Sequence, residues 1–278
     1  MNRTKITVKR APRRRSSRHK NPFRRLPWKV LSVLFFVLLV CYIVFVYRNL
    51  VSPYSFRWKA IFGETTYPKG DVRGIDISHH QGEIDWERLA NAQIQGSPLQ
   101  FVFIKATEGT DLFDKDFNYN FAEARRHEVI RGAYHFFSLK SSARRQAEFF
   151  CHTVQLEPGD LPPVLDVETD PKDVKGYTRE RLRREVLEWL AYVEHHYGVK
   201  PMIYASYSYK KENLGGEPFD CYPFWIAHYY VDSLSYKGQW TFWQHTDAGH
   251  VDGIRGDVDI NLFNGTSREL HQLLIPEE

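Results

Sequence analysis

The stretch Pro162–Ser206, PPVLDVETDPKDVKGYTRERLRREVLEWLAYVEHHYGVKPMIYAS, decides the fold. It opens on an apolar β-type run, PPVLDVE (162–168), and closes on another, MIYAS (202–206). Between them residues 178–197 read as a helix. Thr178 is a candidate N-cap, Leu182, Val186, Trp189 and Val193 recur on one stripe, and Gly198 with Pro201 stops the run. Strand, helix, strand at this spacing is a βαβ unit with parallel strands.

Outward from this unit the texture repeats. The β-type runs are GIDIS (74–78), FVFIKA (101–106), IRGAYHFF (130–137), FWIAHYY (224–230), TFWQH (241–245) and VDINLF (258–263). Helical segments fall near 85–95, 116–129 and 141–155, and after residue 201 the strands crowd together while helices thin out. The fold class is therefore α/β: a single modified β/α barrel of about eight strands over 73–278, whose last part lacks full helices.

The N-terminal part has a different character. Residues 1–47 hold 12 of the 38 Lys and Arg and no Asp or Glu, so 26 basic residues face 34 acidic ones in the rest, and the net charge of +4 hides an acidic globular part. An acidic domain argues against nucleic acid as partner, because phosphate binding needs a basic face. Residues 1–29 are a basic tail with almost no apolar content. The run Val30–Tyr47, VLSVLFFVLLVCYIVFVY, carries no charge over roughly 27 Å of helix and reads as a transmembrane helix. Trp28, Tyr42 and Tyr47 sit at or near its ends, and the positive block before it places the N-terminus in the cytoplasm. A cleaved signal peptide is the rival, but the run is long for one and no small-x-small site follows. Residues 48–72 form a juxtamembrane spacer.

In a parallel barrel the chemistry sits at the C-terminal ends of the strands. Asp76 lies in the first strand, Asp166 and Glu168 end the PVLDVE strand, and Asp257 and Asp259 lie in GDVDIN. A carboxylate in an apolar strand is costly unless paired or hydrogen-bonded, so several at one mouth point to function. Asp166 and Glu168, two apart on a strand, share a face with Cα atoms about 6.5–7 Å apart. Two carboxylates in one pocket favour a protonated acid beside an ionised partner, as glycoside hydrolysis requires. Tyr134, Tyr204, Trp225 and Trp243 are candidate sugar-stacking rings, with core packing an equal reading for each. Gln81, Lys105, Glu108 and Gln244 are candidate hydrogen-bonding groups. The histidine pairs 79/80 and 195/196 and the three cysteines lack metal spacing, so no metal or other cofactor is assigned. Cys151 and Cys221 are equally consistent with one disulfide and with two free thiols.

Taken together, GIDISHHQGEIDW (74–86), FVFIKATEG (101–109), RGAYHFF (131–137), PVLDVE (163–168), PMIYAS (201–206), FWIAHY (224–229) and WQHTDAGHVDGIRGDVDINLFNG (243–265) resemble the glycoside hydrolase family 25 lysozymes, the N-acetylmuramidases. The resemblance runs in order from about residue 73 to about 268, and it implies a barrel of about five β/α units and then a mainly β portion. It implies hydrolysis of the β-1,4 bond between N-acetylmuramic acid and N-acetylglucosamine in peptidoglycan. It implies Glu168 as proton donor, with Asp76, Asp166 and Asp259 lining the cleft and Asp257 the lesser choice. The expected setting is a bacterial inner membrane, single-pass, with the barrel outside the cytoplasm. A catalytically silent glycan-binding module and a hydrolase of a related amino-sugar polymer such as chitin are the alternatives.

Overall fold

The computed structural model describes residues 28–46, 67–229, 231, 233–234 and 238–277. The basic tail up to residue 27 and the spacer between 48 and 66 lie outside the described residues, as does Tyr47. The chain divides into two units, 1–53 and 54–278.

The first unit contains helix α1, Trp28–Val46, with 19 residues and a mean hydropathy of 2.8 over its most apolar window. None of its residues is buried. A helix this long spans about 28 Å, so by length and composition it can cross a membrane. The Ser32 hydroxyl is satisfied within the helix: Oγ donates to the Trp28 carbonyl at 3.0 Å.

The second unit is a closed barrel. Its strands and helices follow in the order β1 (Arg73–Ile77), α2 (Trp86–Ala90), β2 (Gln93–Ile94), β3 (Ser97–Glu108), β4 (Leu112–Phe113), α3 (Phe117–Arg126), β5 (Ile130–Phe136), α4 (Ala143–Thr153), β6 (Val164–Asp166), α5 (Arg179–Tyr197), β7 (Met202–Ser206), α6 (Tyr207–Asn213), β8 (Phe224–Ala227), β9 (Phe242–Gly249), β10 (Val258–Phe263) and α7 (Ser267–Leu273). Eight strands form the ring, β1-β10-β9-β8-β7-β6-β5-β3, and β3 pairs back onto β1 to close it. All neighbours are parallel except β10, which runs antiparallel to both β9 and β1. That reversal settles a direction that the sequence pattern leaves open. It also brings the beginning of β10, not its end, to the mouth where the other strands finish.

Helix α5 forms as its sequence pattern dictates. Thr178 accepts from the Arg181 N–H, Gly198 takes the left-handed C-cap at φ 71°, and Leu182, Val186, Trp189, Leu190 and Val193 are buried. These side chains pack with Phe150 and Ala147 of α4 against the outer faces of the strands, where Ile104, Ala133, Leu165, Ile203 and Ile226 point.

The alternate residues point inward. Phe101, Phe103, Val164, Met202, Trp225, Phe242 and Phe263 fill the barrel interior. Phe103 stacks on Trp225 with centroids 4.5 Å apart, and Phe242 meets Phe101 and Phe103 edge-on. Room for these rings comes from two glycines. A Cβ at Gly74 would stand 2.4 Å from the Phe101 ring, and one at Gly132 would stand 2.7 Å from Phe103. With the middle plugged by aromatics, only the strand-end layer is left to form a cavity.

Candidate active site

That layer is polar because the inward period of two carries on to the strand ends. Asp76 follows Gly74 inward on β1, Lys105 follows Phe103 on β3, Tyr134 lies on β5, Asp166 follows Val164 on β6, Tyr204 follows Met202 on β7, and Gln244 follows Phe242 on β9. Glu168 comes two residues after Asp166, just past the end of β6, where the Val167 N–H still bonds to the Tyr204 carbonyl at 3.0 Å. Asp259 joins them because β10 is reversed, and it pairs directly with Asp76 across the β1/β10 ladder.

These groups border one cavity of about 240 Å³, together with Ser78, His80, Phe136, Trp225 and Tyr229. A second cavity of about 480 Å³ shares Glu168 and Tyr229 with the first and is lined by Ser206, Tyr207, Ser208 and His228. There the Tyr207 and His228 rings lie parallel, 5.1 Å apart. A larger hollow of about 790 Å³ near Lys210, Tyr222 and Phe224 has, among the described residues, Asp220 as its one carboxylate, paired to Lys210 at 3.6 Å. The chemistry therefore belongs to the smaller, carboxylate-rich cavity.

Asp76 is the hub of a hydrogen-bond network. Its Oδ2 accepts from Gln244 Nε2 and Asn261 Nδ2, each at 2.7 Å. Trp225 Nε1 donates to Asn261 Oδ1, and the Tyr204 and Tyr229 hydroxyls both donate to Gln244 Oε1, all at 2.7 Å. These donors orient both amides so that they present N–H groups to Asp76. Burial pushes the Asp76 carboxyl up to about 6, and the two amides hold it from rising further. Asp259 is pushed up to about 9 by burial and then by the charge and hydrogen bond of Asp76, so it carries the proton of that pair. Asp166 is driven well above the usual carboxylate range by burial and then by Glu168, with Lys105 opposing. Its Oδ1 is buried and has no hydrogen-bond partner among the described residues. Glu168 is exposed at the cavity edge, and burial still raises it against Tyr204 and Lys105.

Of the residues singled out from sequence, Asp76, Asp166, Glu168, Asp259, Tyr134, Tyr204, Trp225 and Gln244 converge on this cavity. Trp243 does not. It is an outward residue of β9, buried beside Trp240 and His245, with its Nε1 donating to the His228 carbonyl at 2.8 Å. Trp225 is 2% exposed and stacked on Phe103, so it forms the floor and offers no open face for a sugar. Gln244 spends its amide on Asp76 and two tyrosines. Asp257 is exposed at the surface, 3.5 Å from His250. His79 pairs with the buried Asp114 at 2.7 Å, and His195 and His196 sit in the last turn of α5. Cys151 is buried and Cys221 exposed, both as free thiols. Sequence reasoning missed Asn261 and Tyr229. Both follow an inward residue by two, Asp259 and Ala227, and that spacing was the available signal.

A closed α/β barrel that gathers four carboxylates at its strand-end mouth is the architecture of a carboxylate-dependent glycoside hydrolase. Comparison with known proteins agrees: the model of glycosyl hydrolases family 25 matches residues 75–254. The "Uncharacterized protein YegX" of Escherichia coli O6:H1 is 47% identical over 224 residues, 80% of each chain. Lysozyme M1 of Streptomyces globisporus is 34% identical over 211 residues, covering 72% of this chain and 70% of that one. The crystal structure of a bacterial lysozyme from Streptomyces coelicolor matches with a TM-score of 0.66 and 34% identity, over 74% of this chain and 97% of the other. The chain belongs to glycosyl hydrolase family 25 and is a glycoside hydrolase.

Proposed function

We propose that this enzyme hydrolyses the β-1,4 bond between N-acetylmuramic acid and N-acetylglucosamine in peptidoglycan, with Glu168 as proton donor and Asp166 assisting. The observation that carries this reading is the single cavity bordered by both carboxylates of one strand end, in a chain similar to a Streptomyces lysozyme. Glu168 borders two adjoining cavities, so a glycosidic oxygen beside it would have one sugar in each. The cavity holding Asp166 suits the N-acetylmuramic acid ring, and the one holding Ser206, Ser208 and His228 suits the departing N-acetylglucosamine.

Because Asp166 and Glu168 spring from one strand, they reach the sugar from one side and do not flank the bond as the usual acid and nucleophile pairs do. The acetamido group of the substrate supplies the missing nucleophile. Glu168 gives its proton to the glycosidic oxygen as the bond to the anomeric carbon breaks, and the acetamido oxygen closes on that carbon. Asp166 holds the amide N–H and balances the positive charge of the cyclic intermediate. Glu168, now ionised, takes a proton from a water that opens the ring, and the product keeps its configuration. Asp76 and Asp259 hold the pair in place. The anchor reading completes the proposal: helix α1 stays uncleaved in the membrane, and the barrel acts outside the cytoplasm.

Mass spectrometry of fragments released from purified peptidoglycan tests the bond cut. The reading expects N-acetylmuramic acid at the new reducing ends and none released by Glu168→Gln. Reducing N-acetylglucosamine or an anhydro terminus would overturn it.

A further inference from the structure

The Asp166–Glu168 pair can serve as acid and anion only while it holds a single proton, and its position works against that state. Asp76 and Asp259 face it from β1 and β10, Tyr134 and Tyr204 from β5 and β7, Tyr229 from beyond β8, and His80 from the turn after β1. Burial and neighbouring acids together favour a doubly protonated, inert pair. Positive charge inside the cavity is needed to prevent that.

Lys105 is placed to supply it. Phe101, Phe103 and Lys105 alternate inward along β3, which puts the ammonium in the same layer as Asp166. Its side chain is only 11% exposed and is held at two points. Nζ lies 2.7 Å from Glu108 Oε2 and 5.0 Å from the centre of the Phe136 ring. Glu108 follows Lys105 by three residues, at the end of β3, with its side chain 36% exposed, and neutralises part of the charge that Lys105 brings.

We propose that Lys105 is a positioning residue that keeps the Asp166–Glu168 pair singly ionised at neutral pH, with Glu108 as the counterweight that limits its strength. The proposal rests on the reading of that pair given above. Its direction is physical: Lys105 favours the ionised form of both carboxylates, whereas Glu108 disfavours it at Asp166. Removing the lysine must therefore demand a higher pH to reach the active form, and removing the glutamate a lower one.

The test is the pH profile of kcat/KM on a soluble peptidoglycan glycan, measured with the full-length protein in detergent. Lys105→Met should move both limbs of the bell to higher pH by about one unit, and Lys105→Arg should restore them. Glu108→Gln should move both limbs to lower pH. A drop in rate that is uniform across pH, with the limbs unmoved, makes Lys105 merely structural and overturns the proposal. If Lys105→Met does not fold, Glu108→Gln decides alone, and limbs that stay or rise are the contrary result. Wild-type turnover by Asp166→Asn would instead overturn the reading of the pair, whichever way the limbs move.

Discussion

Asp259 shows how burial assigns a role to one atom. It faces Asp76 across the ladder, keeps its proton to about pH 9, and so acts as a donor to the Asp76 carboxylate. An asparagine can donate in the same way. Asp259→Asn should hold kcat/KM within about tenfold of wild type, while Asp76→Asn, which turns the acceptor hub into a competing donor, should lose about a hundredfold or more. Comparable losses in the two variants would contradict that assignment. Stability follows the same proton. The unfolded chain releases it near the ordinary aspartate value of 3.8, whereas the folded chain keeps it to about 9, so stability falls as pH rises between these values and then levels. Asp259→Asn removes this cost, and its Tm should exceed that of wild type near neutral pH and converge with it in acid. The carboxylates themselves were legible in sequence, because an aspartate in an apolar strand demands a reason. Their division into donor and acceptor was not, since it depends on Gln244, Asn261 and two tyrosines gathered from three different strands and the turn beyond β8.

At the scale of elements, periodicity named all eight barrel strands and helix α5 but left the direction of β10 open. An inward period of two reads the same along a strand in either direction, and only the closure onto β1 distinguishes them. The same period explains the misplacement of Trp243. Adjacent residues on a strand cannot share a face, so with Gln244 inward its neighbour must lie outside. Helix α6, Tyr207–Asn213, was not visible because seven residues with one capping serine show no sustained apolar stripe. The interior also explains a glycine. At Gly74 any side chain would meet both the Phe101 ring and its carbonyl at 2.4 Å, and the carbonyl belongs to a paired strand that cannot yield. Gly74→Ala should therefore destabilise the barrel by about 3 kcal/mol, read as a lowered thermal midpoint. An unchanged midpoint would show that the interior is looser than described.

For the whole molecule, an acidic catalytic barrel follows an apolar helix with a basic segment before it. The charge asymmetry predicts topology: an alkaline phosphatase fused to the C-terminus should be active and a cytoplasmic reporter at the same site silent. The opposite pattern would refute the outside placement of the barrel. Which glycan bond is cut, and how, can be read in one experiment. Proton NMR of a peptidoglycan glycan during the first turnovers resolves the newly formed anomer before it equilibrates. Retention at the muramic acid carbon predicts that the first signal is the β-anomer of reducing N-acetylmuramic acid. An α-anomer appearing first, or a reducing N-acetylglucosamine signal in its place, would contradict it.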